Sequence, residues 1–119
     1  MIFTVGLKFP IFEIMQSNDQ IINKIKEIAK NYFSDADIML FGSRANETAT
    51  YGSDYDVLII TNQFLPPEIK TPIRTQIRKE LLKYGIRSDI LIQSRAEVEK
   101  KKKLPGHLIR NIMRDAILL

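Results

Sequence analysis

Cysteine is absent from this 119-residue chain, which excludes disulfides, thiolate nucleophiles and thiolate zinc sites and makes a reducing cytoplasm the default compartment. Histidine is nearly absent: His107 stands alone, with no partner histidine or glutamate at metal-binding spacing, so a structural or surface role is expected for it. Uninterrupted apolar runs of membrane-spanning length are also missing. The N-terminal MIFTVGLKFPIFEIM is rich in apolar residues, but Lys8, Pro10 and Glu13 interrupt it and no basic leader precedes it. It reads neither as a signal peptide nor as a membrane span. Residues 1–16 carry no assignable chemistry; their apolar excess points to packing on the domain or on a partner. There is no internal repeat, and no low-complexity segment beyond Lys100–Lys103.

Net positive charge is scarce outside one place. The formal charge is +4, and the four lysines from Lys100 to Lys103 account for all of it. Basicity is therefore a patch, for which a solvated helix face is a simpler account than contact with nucleic acid. What is present in quantity is apolar content, 45% of residues, enough for one small core. A single domain over residues 1–119 is expected, with no room for a separate acceptor-binding domain.

Periodicity places the elements. Ile21, Ile22, Ile25, Ile28, Ala29 and Tyr32 form the stripe of an amphipathic helix over 19–33, with Ser17 or Asn18 as its cap. Asp35 and Asp37 read as turn residues before a strand at 38–41. A second strand covers 57–60. A loop containing Pro66-Pro67 follows, then a helix capped by Thr71 with Pro72 at its first position, a stripe of Ile73, Ile77, Leu81 and Leu82, and a stop at Gly85. Arg74, Arg78 and Lys79 fall on its outer side. A third strand is expected over 86–93, then a capping box of Ser94 and Glu97, a break at Pro105-Gly106, and a last helix carried to the C-terminus by Leu108, Ile109, Ile112, Met113, Ala116 and Ile117. The sum is an α/β (α+β) domain: a small mixed β-sheet covered by helices.

The residues that carry chemistry lie in LFGSRANETATYGSDYDVLII, positions 40–60. Gly42 at a strand end lets backbone approach a ligand, and Ser43 after it caps the next turn, whose free N–H groups favour phosphate. Arg44 adds a positive charge. Were the strand to begin at Asp54, alternation would project Asp54 and Asp56 together, a hard-oxygen pair suited to Mg²⁺ or Mn²⁺. No Gly-Lys-Ser/Thr follows Gly42, so this is not a P-loop. Taken singly, a tight turn and a solubilised strand end would explain these residues; their combination is what is specific.

Gly42-Ser43-Arg44-Ala45, followed by Ser53-Asp54-x-Asp56 and an apolar strand, resembles the signature of the DNA polymerase beta-like nucleotidyltransferases, in particular the minimal nucleotidyltransferases. A glycine frequent two residues after that alanine is Glu47 here. The resemblance covers nearly the whole chain and implies the nucleotidyltransferase fold, with Asp89, heading the third strand, as a third carboxylate. It further implies two Mg²⁺ ions held by Asp54, Asp56 and Asp89, nucleotide binding at Gly42, Ser43, Arg44 and Ser53, and transfer of AMP from ATP to a hydroxyl. The implied acceptor is a tyrosine of a HEPN-domain toxin, to which the chain would be the antitoxin, as a homo- or hetero-oligomer. Two rivals remain at this stage: a non-catalytic module that neutralises its partner by contact, and a nucleotidyltransferase acting on a small molecule or RNA.

Overall fold

The computed structural model describes residues 18–46 and 52–119. The expectations for residues 1–16 fall outside that range, as does Glu47 in the spacer between Ala45 and Ser53. The elements are α1 (Asn18–Tyr32), β1 (Asp37–Phe41), a 3₁₀ turn (Gly42–Arg44), β2 (Tyr55–Thr61), α2 (Pro67–Leu82), β3 (Ser88–Ser94), α3 (Arg95–Lys101), α4 (Leu108–Asp115) and β4 (Ile117–Leu118). The sheet runs β3-β2-β1-β4, parallel between β2 and β3 and antiparallel elsewhere.

Alternation along the strands divides the core. Tyr55, Val57, Ile59, Ile90, Ile92, Ile38 and Leu40 face α1 and α2, meeting Ile25, Ile28, Ala29, Ile77 and Leu81. Leu58, Ile60 and Leu91 face the other way, onto Val98 of α3 and Ile109 and Ile112 of α4. β2 is buried over almost its whole length because helices cover both of its faces, as its parallel partner requires.

The largest differences from the periodic reading are two helix boundaries and one position of a stripe, while β1 takes in Asp37 and β3 starts at Ser88. The helix expected at Pro72 starts at Pro67, with Pro66 in extended conformation (φ −69°, ψ 159°) before it. Pro66 is held extended because it precedes proline, and Pro67 takes the first helical position, where no amide hydrogen is needed. Pro72 then lies inside the helix, tolerated because Ile73, Ile77 and Leu81 still bury one stripe. Leu82, expected in that stripe, is exposed. At the C-terminus the last helix stops at Asp115: Ala116 turns extended, Ile117 and Leu118 pair with Leu40 and Met39, and the Leu119 amide donates to the Ile38 carbonyl at 2.8 Å. A bare β1 edge would leave its ladder groups unpaired, and the last residues cover it.

The end of α2 follows the glycine rule. Gly85 is left-handed (φ +74°), and the amides of Gly85 and Ile86 close back on the carbonyls of Leu82 and Leu81. That is a Schellman stop, with Ile86 buried beyond it.

Candidate functional site

Three strand termini meet at one end of the sheet: the end of β1, the start of β2 and the start of β3. The motif thus sits at one end of the sheet, in the middle of the strand order. β1 passes into the 3₁₀ turn through Gly42, whose φ of +73° suits glycine. The Ala45 and Asn46 amides donate to its carbonyl at 3.1 and 3.2 Å. A Cβ on Gly42 would lie 3.1 Å from Asp56 Cγ and closer still to Oδ2. The absent side chain is therefore what admits the Asp56 carboxylate beside the turn. Ser43 stands in the same turn, partly buried.

Asp56 is flanked by both neighbours in register, Phe41 on β1 and Asp89 on β3. The Asp56–Asp89 pair is parallel and in step, so the two carboxylates leave the same face of the sheet. Burial pushes the Asp56 carboxyl above the usual carboxylate range, and the charges of Asp89 and Asp54 push it further.

Asp54 behaves differently from expectation. β2 begins at Tyr55, so Asp54 lies outside the strand and alternation does not govern it. Its Oδ1 is 3.2 Å from Arg87 Nε, and Arg87 also donates to the Gly52 carbonyl. Among the described residues, no three acidic or histidine side chains stand at spacing suited to a metal. Two carboxylates are in place, and the third is turned toward a cation.

Arg44 is held inward. Its guanidinium stacks over the Tyr55 ring with 4.3 Å from Cζ to the centroid, and Nη2 donates to the Ser53 carbonyl at 2.9 Å. Nε is buried without a partner among the described residues. Tyr55 in turn donates to Asn18 Oδ1 of α1 at 3.0 Å. Arg44 thus ties the turn after β1 to the Ser53–Tyr55 segment and to the first helix.

Sequence reasoning passed over Arg87 and Ser88, and placed Arg78 on a solvated face. The available signal was the pair Arg87-Ser88 immediately before Asp89, at the mouth of a strand. His107 caps α4, its Nδ1 accepting from the Ile109 amide at 3.0 Å, a structural role. Asp37 ion-pairs with Arg95 at 2.7 Å and Asp35 accepts from Asn62 at 2.6 Å, both at the opposite end of the sheet. In the lysine run, Lys101 reaches Gln93 (2.7 Å) and Glu97 (3.8 Å), and Lys102 reaches Glu99 (2.8 Å). Two of the four charges are engaged on their own helix or its neighbouring strand.

Comparison with known proteins settles the class. The family model for the nucleotidyltransferase domain matches residues 22–119. The chain belongs to that family. The nucleotidyltransferase domain found here resembles a crystal structure described, provisionally, as a nucleotidyltransferase: 26% identity, TM-score 0.50, covering 82% of this chain and 96% of that one. A second, likewise described, comes from Sulfolobus solfataricus, with 20% identity, TM-score 0.44 and coverage of 83% and 76%. No protein of curated function matches. The nucleotidyltransferase fold, a mixed sheet under helices, is therefore present, and nucleotidyl transfer is the general reaction class. Among the described residues, no helix is long and apolar enough to cross a membrane.

Proposed function

We propose that this nucleotidyltransferase moves AMP from ATP to a hydroxyl of a partner protein, a tyrosine of a HEPN-domain toxin, and so acts as an antitoxin in the cytoplasm. The observation that carries the transfer chemistry is the in-register pair Asp56–Asp89, with the Gly42 turn on the other side of β2. The acceptor rests on the sequence resemblance to minimal nucleotidyltransferases.

The donor set fits a divalent cation. Asp56 and Asp89 offer hard oxygens from one face; burial first, and then the charges of Asp89 and Asp54, make the ionised form of Asp56 costly, and a bound cation would offset that cost. Asp54 is half exposed and its pairing with Arg87 is a solvent-facing one, so it is free to join them. Asp54, Asp56 and Asp89 would hold Mg²⁺, which supplies Lewis acidity that lowers the pKa of an acceptor hydroxyl and offsets charge on the α-phosphate.

The chain's own groups do the rest. Gly42 and Ser43 would receive the β- and γ-phosphates at the turn after β1. Arg44 holds that turn against Ser53 and Tyr55. The acceptor oxygen bonds to the α-phosphorus as the bridge to the β-phosphate breaks; pyrophosphate leaves, and the hydroxyl proton passes to a carboxylate, a role this reading gives to Asp89.

Label transfer in a lysate of the source cells tests this, comparing ATP labelled on the α- or the γ-phosphate, with and without Mg²⁺. Mg²⁺-dependent α label on a protease-sensitive band is expected. Label in nuclease-sensitive or small-molecule fractions would overturn the protein acceptor. No transfer by the wild-type chain would favour a module that acts by contact alone.

A further inference from the structure

On the β3 side of β2, away from the Gly42 turn, lies a cavity of about 210 Å³ lined by Asp54, Arg78, Leu82, Arg87 and Ser88. Ser88 is the register partner of Tyr55, so it belongs to the face covered by α1 and α2, whereas Asp56 and Asp89 leave the opposite face. Asp54, at the mouth of β2, borders both. Two guanidiniums against one carboxylate leave the lining net positive. Ser88 is 8% exposed, and its Oγ is buried with no hydrogen-bond partner among the described residues. Arg78 has no ion-pair partner among them either. A buried hydroxyl without a partner is costly, and forked cationic donors beside it complete the chemistry for one oxyanion.

Position gives that oxyanion an owner. In-line displacement brings the entering oxygen in opposite the leaving group. With the β- and γ-phosphates at Gly42–Ser43, on the β1 side of β2, the acceptor arrives from the β3 side, where this cavity opens. We propose that the cavity is an anchoring subsite for the acceptor protein: an acidic side chain beside the acceptor hydroxyl seats between Arg78 and Arg87 and accepts from Ser88 Oγ. This rests on the function proposed above. The cavity has the size for one anionic group, Leu82 offers an apolar wall for the stem of an aspartate or glutamate, and Asp54 at the rim opposes a second negative charge. Nucleic acid, which presents phosphates in series, fits that lining less well. An incoming carboxylate also competes for Arg87, and so releases Asp54 toward Asp56 and Asp89.

The test needs no turnover, so its outcome stands apart from whether transfer to a toxin occurs. Thermal unfolding of the full chain, without nucleotide or divalent cation, is followed in rising inorganic phosphate against sodium chloride of matched ionic strength. The wild-type midpoint is expected to rise with phosphate. Arg78→Gln and Ser88→Ala should each weaken that response at least tenfold, and Lys100→Gln should leave it unchanged. No rise beyond the salt control, or the same rise in all four proteins, overturns the subsite. Binding of a non-hydrolysable ATP analogue by Arg78→Gln is expected within twofold of wild type; a larger loss would assign the cavity to the triphosphate instead. Fluorescence anisotropy then compares a peptide carrying glutamate next to tyrosine with a single-stranded RNA. Arg78→Gln losing the peptide supports an acidic protein acceptor, and losing the RNA alone replaces it with nucleic acid.

Discussion

The Asp56 carboxylate occupies the space in which a side chain on Gly42 would begin. Gly42 directly follows β1 and Asp56 is the second residue of β2, so the register of two strands and the absence of one methyl group jointly set the site. Gly42→Ala should therefore do two things. It places a side chain at φ +73°, at a cost of about 1–2 kcal/mol, and it displaces Asp56 from its place opposite Asp89. Urea unfolding should show a lower midpoint, and nucleotidyl transfer should fall by more than tenfold. Adding Asp56→Ala should recover part of the stability loss, because the crowding is shared; a strictly additive double variant would refute the contact.

Arg44 combines charge and stacking, and the two can be separated. Arg44→Lys keeps the cation but loses the planar stack on Tyr55 and the Nη2 donation to the Ser53 carbonyl. A loss of about 1–2 kcal/mol in stability is expected. With the guanidinium bracing the turn from within, KM for the nucleotide should stay within about twofold once the protein is folded. A KM that rises tenfold with stability unchanged would instead put Arg44 on the phosphates.

At the start of α3, Ser94 and Glu97 form a complete capping box, with Glu97 N to Ser94 Oγ at 3.2 Å and Ser94 N to Glu97 Oε1 at 2.8 Å. Burial pushes the Glu97 carboxyl up, but the Ser94 hydrogen bonds, with Lys70 and Lys101, outweigh it and hold the pKa below the usual value. A lowered folded pKa means stability that is present above the unfolded pKa and lost as pH falls through the folded one. Glu97→Gln should therefore be less stable than wild type at pH 7, the gap closing in acid below both pKa values. Ser94→Ala should cost about 1 kcal/mol by thermal or urea unfolding.

Those caps show what kind of information the sequence exposes. The Ser94-Glu97 box, the Gly85 stop and the isoleucine stripe of α1 are local: each depends on neighbours within a turn or two, and each stands where its residues place it. The start of α2 was ambiguous because Pro66-Pro67 and Thr71-Pro72 both satisfy the rule for a helix start, and only burial of the stripe against the sheet separates them. β4 was hidden because Ile117 and Leu118 suit either a helix or a strand, and the deciding partner, β1, is more than 70 residues away. Within the candidate site, Asp56 and Asp89 come together through the parallel pairing of β2 with β3; Asp89 was indicated by the family resemblance, because periodicity alone does not say which strands are neighbours. The pairing of Asp54 with Arg87 depends on a side chain across a loop, for which spacing gives no signal.

Asp56 itself provides the sharpest check on the proposed chemistry. Its folded pKa is raised by burial and by Asp89 and Asp54, so its ionised form opposes folding near neutral pH. Protonation favours the folded state, and stability should rise as pH falls through the folded pKa, until the unfolded pKa is reached. Asp56→Asn removes that charge in a side chain of nearly the same shape. In the absence of divalent cations, its thermal midpoint should exceed the wild-type value at pH 7, with the advantage shrinking in acid. Added Mg²⁺ should stabilise the wild type more than the variant, and Mg²⁺-dependent transfer of the α-phosphate label should be lost. A variant that is less stable than wild type at pH 7 would show that Asp56 serves the fold as an ordinary polar residue. One that retains full transfer would remove it from the reaction, and with it the in-register carboxylate pair on which the proposed function stands.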